Sequence, residues 1–381
     1  MQDLLNLRLS KKIETTQKAN ALRTLKIVDI QNPKLINLAS NDYLNLAKDA
    51  RVIHAAQEAA YKYGTSTSGS PVVASYFEIH REFEETLCQW LGFSECLIWA
   101  SGFCANRSIL ETLLTNTDLV LADRLSHGST VIGVKASGAQ LIRYKHNDIN
   151  HLEDLLKKHF RKDRLIWVVT ESLFSMDGDY PDLKAIGELK QQFPFIWVLD
   201  EAHALGWYGP RGDGLAAKFA VTKEVDILIG TLGKSLASQG AVSLFHDTTI
   251  KQTLINYAKD FIYSTYPAPS CIAAAHCAAK LIKENLYKEQ PLWHEKAILL
   301  KSLLRTHFPE ILVNESPILP IILKSNDAAM RAQGKLLDEG ILVGAIRPPS
   351  VPVGTSRLRL SLHKDIDAKE ISQKIINTLD L

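Results

Sequence analysis

Phe195-Ile-Trp-Val-Leu-Asp200, continuing as Glu201-Ala-His203-Ala-Leu-Gly206, is the stretch whose reading decides the fold. An apolar, β-favouring run that stops on a carboxylate reads as an inner strand of a parallel sheet. Asp200 then stands at the carboxyl end, where α/β proteins place their chemistry. Further on, a second apolar run, Asp226-Ile-Leu-Ile-Gly230, feeds Thr231-Leu-Gly-Lys234. One strand end offers an acid and the next an amine. That pair suits pyridoxal phosphate: the lysine bonds to the aldehyde, and a carboxylate on the pyridinium nitrogen keeps the ring protonated as an electron sink. Taken singly, each residue has a plainer reading. Asp at a strand end caps a following helix, a lysine after glycine is a solvated charge, and His203 packs in a loop. A cap does not require a lysine at the neighbouring strand end, so the joint spacing favours chemistry.

Outward from this centre the chain alternates between strand and helix patterns. The expected strands are Cys96 to Ala100, Leu119 to Ala122, Gln140 to Tyr144, Leu165 to Thr170, Ile196 to Asp200, Asp226 to Gly230 and Ala241 to Phe245. Helical patterns such as Ile149 to His159 and Leu183 to Phe193 separate most of them, which predicts a predominantly parallel, helix-covered sheet. The turn Ser101-Gly102-Phe103-Cys104 opens a helix whose free N–H groups suit a phosphate. The imidazole of His127, past another strand end, either stacks on a flat ring or packs. Gly64 to Pro71 is a small-residue loop between helical segments Ala55 to Tyr63 and Tyr76 to Leu91. Asn41 either caps a helix or meets a substrate carboxylate, and the cap is the commoner use. Leu5, Leu9 and Ile13, then Leu22 and Leu25, follow helical spacing and predict an arm packed on the body. Strands are also expected near Ile318 to Leu323, Ile341 to Ala345 and Leu358 to Leu362. The expected domains are an arm over 1–45, a large cofactor domain over 46–285 and a small α+β domain over 286–381.

Composition narrows the partners. With 44 Lys plus Arg against 42 Asp plus Glu, a net charge of +2 points to neither nucleic acid nor an anionic membrane. The five cysteines, Cys88, Cys96, Cys104, Cys271 and Cys277, form no CxxC pair, which argues against a disulfide framework and a zinc site. No metal is expected, and a reducing cytoplasm fits. No uncharged apolar stretch reaches membrane-spanning length, and residues 1–26 lack a signal-peptide core.

The motifs Ser40-Asn-Asp-Tyr-Leu44, Ser101-Gly-Phe-Cys-Ala-Asn106, Asp123-Arg-Leu-Ser-His127, Thr170-Glu-Ser-Leu-Phe-Ser-Met-Asp-Gly-Asp179, Asp200-Glu-Ala-His203 and Thr231-Leu-Gly-Lys234 together resemble the α-oxoamine synthases. These fold-type I pyridoxal phosphate enzymes condense an amino acid with an acyl thioester and release carbon dioxide. Ala345-Ile-Arg347-Pro-Pro-Ser-Val-Pro352, Gly354-Thr-Ser-Arg-Leu-Arg359-Leu and His146-Asn-Asp148 resemble the branch that uses L-alanine and a pimeloyl thioester, carried on coenzyme A or an acyl carrier protein.

The resemblance implies Lys234 as the Schiff-base lysine, Asp200 on the ring nitrogen, His203 on the phenolic oxygen and His127 on the ring face. Gly102, Phe103, Ser175 and Thr231 would line the cofactor, and Thr265 would reach the phosphate in a neighbouring subunit, which implies a homodimer. Arg359 and Asn41 would hold the amino-acid carboxylate, with Arg23, His127 and Ser350 on the substrate. Departures lie at Asn45, at Thr65, Ser66, Pro71 and Ser75, and at Leu236-Ala237, and they bear on the acyl donor. Two other readings stay open: a sister synthase, such as a 2-amino-3-ketobutyrate ligase or an autoinducer-type synthase, and a cofactor-free binding subunit, which the presence of Lys234 disfavours.

Overall fold

The computed structural model describes residues 1–379. In chain order the strands are β1 (Ile36–Asn37), β2 (Glu95–Trp99), β3 (Leu119–Asp123), β4 (Gln140–Tyr144), β5 (Ile166–Glu171), β6 (Ile196–Asp200), β7 (Ile227–Thr231), β8 (Ala241–Phe245), β9 (Ile318–Lys324), β10 (Ile341–Leu342), β11 (Gly344–Ile346) and β12 (Ser356–Ser361). The chain divides into two units: residues 42–175 with 179–291, and residues 1–41 with 176–178 and those from 292 onward.

In the larger unit a seven-stranded sheet has the order β2-β8-β7-β6-β5-β3-β4. Its members are the seven strands expected between residues 95 and 245, each within one residue of its expected bounds. β8 runs antiparallel to β2 and β7, and the remaining pairings are parallel. Every residue of β3, β5 and β8 is buried, because helices cover both faces, which is why these strands read as continuous apolar runs. Register aligns the strand ends: Glu171 pairs with Asp200, and Asp200 with Ile229. The reversed β8 begins at the same edge, where Ala241 lies opposite both Thr231 and Trp99. The residues following β2, β5, β6 and β7 therefore emerge along one rim.

Local chemistry starts and stops the covering helices. Asp49, Ser101, Asp148 and Asp182 each accept a backbone N–H at a helix start. Gly92, at φ 79°, ends the helix Glu78–Leu91 in the left-handed conformation that glycine adopts without a Cβ clash. All five cysteines are free.

The smaller unit holds an antiparallel sheet β11-β12-β9 and a parallel pair β1-β10, so the strand expected over 341–345 is divided in two. Inside it, the buried Lys301 donates to Asn314 Oδ1 at 2.6 Å and to the Ser316 carbonyl at 2.7 Å, and burial pushes its ammonium down to about 7. Arg357 donates to the Met176 carbonyl at 2.9 Å and to Asp177 Oδ1 at 2.6 Å, which fixes residues 176–178 in this unit.

The arm corrects the expectation of a packed helix. Gln2–Lys18 is helical, but none of its residues is buried, and Leu5, Leu9 and Ile13 are 46–51 % exposed. Their periodic row finds no burying partner among the described residues. Leu22 and Leu25 lie beyond the helix end. Asn20 takes a left-handed φ of 46°, and Arg347 holds the backbone by donating to the Asn20 carbonyl at 2.9 Å.

Candidate active site

Asp200 ends β6 with only 9 % exposure, and both of its oxygens are fixed: Asn106 Nδ2 donates to Oδ2 at 2.8 Å and the Ala202 amide to Oδ1 at 2.9 Å. Asn106 lies on the helix Gly102–Leu113, which follows β2. The start of that helix and the acid at the end of β6 are thus coupled by one hydrogen bond. At the same helix start Ser101 caps the Cys104 amide at 3.2 Å, while the space beside Gly102 is open.

Thr231 ends β7, with its Oγ1 3.3 Å from both the Gly240 carbonyl and the Gly233 amide. The loop it opens carries the half-buried Lys234 and returns through Ala237, at φ 49°, into β8. His203 follows β6, and its Nδ1 lies 2.7 Å from the Tyr43 hydroxyl. His127 caps the helix Gly128–Ser137, with Nδ1 2.7 Å from Ser129 Oγ, and stands edge-to-face to Phe103 at 6.4 Å between ring centres. Ser175 is half-buried in the turn after β5.

Glu171, at the end of β5, is 5 % exposed, and its Oε1 has no hydrogen-bond partner among the described residues. Burial pushes its carboxyl up to about 8. The neighbouring Asp200 charge adds to that rise, and the Lys234 ammonium opposes it. Asp200, Lys234 and Glu171 therefore share one electrostatic environment at the rim. Glu171, Asn106 and Tyr43 all lie within the motifs quoted above, but nothing in the sequence alone marks them. Each needs a partner distant in the chain to reveal itself.

Thr265 is exposed in the segment after Phe261. The small-residue loop stitches that segment down. Ser70 Oγ donates to the Ile262 carbonyl at 2.6 Å, Thr67 Oγ1 to the Tyr266 carbonyl at 2.8 Å, and the Tyr266 amide to the Gly69 carbonyl at 2.9 Å.

In the smaller unit Arg359 on β12 is 6 % exposed and donates to Asn41 Oδ1 at 3.0 Å and to Ser361 Oγ at 2.7 Å. Asn41 serves this guanidinium and caps no helix, contrary to the commoner expectation. Arg23 and Ser350, both exposed, meet at 3.3 Å in the same unit.

The donor set at the rim of the larger unit fits pyridoxal phosphate. It offers a fixed carboxylate for the pyridinium nitrogen, an amine for the aldehyde, two imidazoles, and a helix start with room for an anion beside Gly102.

Comparison with known proteins agrees with this chemistry. The chain matches the aminotransferase class I and II family over residues 33–375. A Haemophilus influenzae protein provisionally named 8-amino-7-oxononanoate synthase is 38% identical over 349 residues, 90% of each chain. A Geobacillus kaustophilus protein with the same provisional name is 36% identical over 353 residues, 91% of this chain and 89% of that one. The solved 8-amino-7-oxononanoate synthase of Francisella tularensis superposes with a TM-score of 0.77 at 28% identity, covering 91% of this chain and 97% of its own. Serine palmitoyltransferase from S. paucimobilis, solved with pyridoxal phosphate, shares the fold at TM-score 0.90 and 24% identity, over 97% and 96% of the two chains.

Proposed function

We propose, from the premise that the chain belongs to the aminotransferase class I and II family and is a pyridoxal phosphate-dependent enzyme, that it condenses L-alanine with a pimeloyl thioester. The products are 8-amino-7-oxononanoate, carbon dioxide and the free thiol. The observation that carries this reading is the strand-end pair: Asp200, fixed through both oxygens, on β6 and Lys234 beyond β7. The provisional names of the relatives support the product, 8-amino-7-oxononanoate.

Asp200 would hold the ring nitrogen, Lys234 the aldehyde carbon, His203 the phenolic oxygen and His127 the ring face. Gly102 and Phe103 amides, Ser175 and Thr231 would line the rest, and Thr265 of a second subunit would meet the phosphate. When bound, the cofactor supplies an electron sink for negative charge at the alanine Cα. Arg359, oriented by Asn41 and Ser361, would pair with the alanine carboxylate, and Arg23 and Ser350 would contact substrate. Once the alanine amine has replaced it at the aldehyde carbon, the freed Lys234 Nζ would take the Cα proton. To act as a base near neutrality, its pKa must fall from the usual value of about 10.4. The Cα then bonds to the thioester carbonyl carbon as the thiolate leaves. The carboxylate departs as carbon dioxide, and the proton returns to the same carbon.

Mass spectrometry of the products formed from L-alanine and a panel of acyl thioesters tests this. A product of the mass of 8-amino-7-oxononanoate, formed from pimeloyl-CoA or a pimeloyl carrier protein in preference to acetyl and long-chain thioesters, is expected. Turnover confined to acetyl or long-chain donors would assign the chain to a sister reaction.

A further inference from the structure

We propose that His146 is a positioning residue for the cofactor pocket: held as an imidazolium between Asp123 and Asp179, it ties together the two turns that carry His127 and Ser175. His127 and Ser175 face pyridoxal phosphate in the function proposed above, and the role given to His146 rests on that.

The geometry is two-sided. His146 Nδ1 lies 2.9 Å from Asp123 Oδ1, and Nε2 lies 2.9 Å from Asp179 Oδ2. A neutral imidazole has one N–H and one lone pair, so it can donate to only one of two carboxylates and would set its lone pair against the other. Two donations require both nitrogens to be protonated.

Asn147 reinforces the bridge. Its amide donates to Asp123 Oδ2 and its Nδ2 to Asp179 Oδ2, each at 2.9 Å, and it takes a left-handed φ of 52°. Asparagine tolerates that conformation better than most residues. Each aspartate in turn shapes its own turn, Asp123 through its carboxylate and Asp179 through its backbone carbonyl. Asp123 Oδ1 accepts the Leu125 amide at 2.8 Å on the way to His127, and the Asp179 carbonyl accepts the Phe174 amide at 2.9 Å around Ser175.

Burial disfavours the His146 cation, but the hydrogen bonds and charges of Asp123 and Asp179 outweigh it and raise the ring to about 10. Phe174, edge-to-face at 4.4 Å, and Asn147 are uncharged. The buried phenol of Tyr144 on β4 is kept protonated by burial and by Asp123. Because the folded value lies above the unfolded one, about 6.5, the stability that the bridge contributes is complete below pH 6.5 and is lost as pH rises through about 10, while the folded ring itself keeps both protons at pH 8.

Nitrogen-15 NMR of the histidine-labelled holoenzyme, with the His146 ring identified by its loss in His146→Gln, reads the protonation directly. Both ring nitrogens should stay protonated at pH 8. A His146 ring that is neutral at pH 8 overturns the proposal, whatever substrate the enzyme proves to use. Equilibrium dialysis reads the positioning role. His146→Gln should weaken pyridoxal phosphate binding by about 10- to 100-fold, the loss expected for a charged hydrogen-bonded link. Removing the stranded charge in His146→Gln/Asp179→Asn should recover a large part of that loss. Unchanged affinity in the single variant, or no recovery in the double, overturns the proposal.

Discussion

Asp200 has both carboxylate oxygens occupied by neutral donors, Asn106 Nδ2 and the Ala202 amide, so its position is set independently of any ligand. Asp200→Asn can keep one acceptor and the same size, and the strand should stay folded. A neutral amide cannot hold a pyridinium proton, however, so turnover should fall by at least about 100-fold while the lysine still takes up the cofactor. Steady-state rates beside the absorbance of bound pyridoxal phosphate check this, and near-normal turnover would remove Asp200 from the ring nitrogen. The position of Asp200 at a strand end was legible because an apolar run stops there, and its pairing with the lysine past the next strand end set it apart from a helix cap. Its partner was not. Asn106 is 94 residues away in the chain and sits in a helix start that reads only as an anion-binding turn.

At the scale of elements, the helical segment expected over Tyr76 to Leu91 is present as Glu78–Leu91, but nothing local in the sequence marks Glu84 within it as buried. It is 4 % exposed. The Tyr76 hydroxyl donates to it at 2.9 Å and that of Tyr266, 182 residues away in the chain, at 3.4 Å, while Lys251 stands at 3.6 Å. Burial pushes this carboxyl up to about 7, against the charge of Lys251 and the tyrosine hydrogen bonds. The folded form therefore holds a proton that the unfolded chain releases near pH 4.5. The associated stability is complete below that pH and is lost as pH rises through about 7. A loss on the order of 1–3 kcal/mol follows from a shift of this size. Glu84→Gln cannot ionise, so its thermal midpoint should gain on that of the parent between pH 5 and pH 8. A gap between the two that stays constant with pH would show that Glu84 is ionised in the native protein.

For the whole molecule, six of the seven strands were legible as buried apolar runs, and the seventh, β4 at the sheet edge, was legible although only Tyr144 of it is buried. Their order in the sheet was not legible, since nothing local marks β8 as the strand that turns back between β2 and β7. Nor does the chain alone show what Thr265 serves, exposed on a loop pinned by Thr67, Gly69 and Ser70. If Thr265 reaches the phosphate of a second subunit, mixing Thr265→Ala chains with Lys234→Ala chains should restore activity, because exchanged dimers then contain one intact site. Assay after subunit exchange decides this, and no recovery would place both groups in one chain.

The same β8 has a consequence for how the protein is made. Among the described residues β2 pairs within the sheet only with β8, Glu95 opposite Phe245. A ribosome needs roughly 8–30 s to lengthen the chain from one to the other at ordinary rates of synthesis. Throughout that interval Glu95-Cys-Leu-Ile-Trp99 can pack on the helices Glu78–Leu91 and Gly102–Leu113 but lacks its strand partner, and a chain broken off before Ala241 can never supply one. The exposure that chaperones must cover is therefore built into the strand order, and it ends only once the loop bearing Lys234 has left the ribosome.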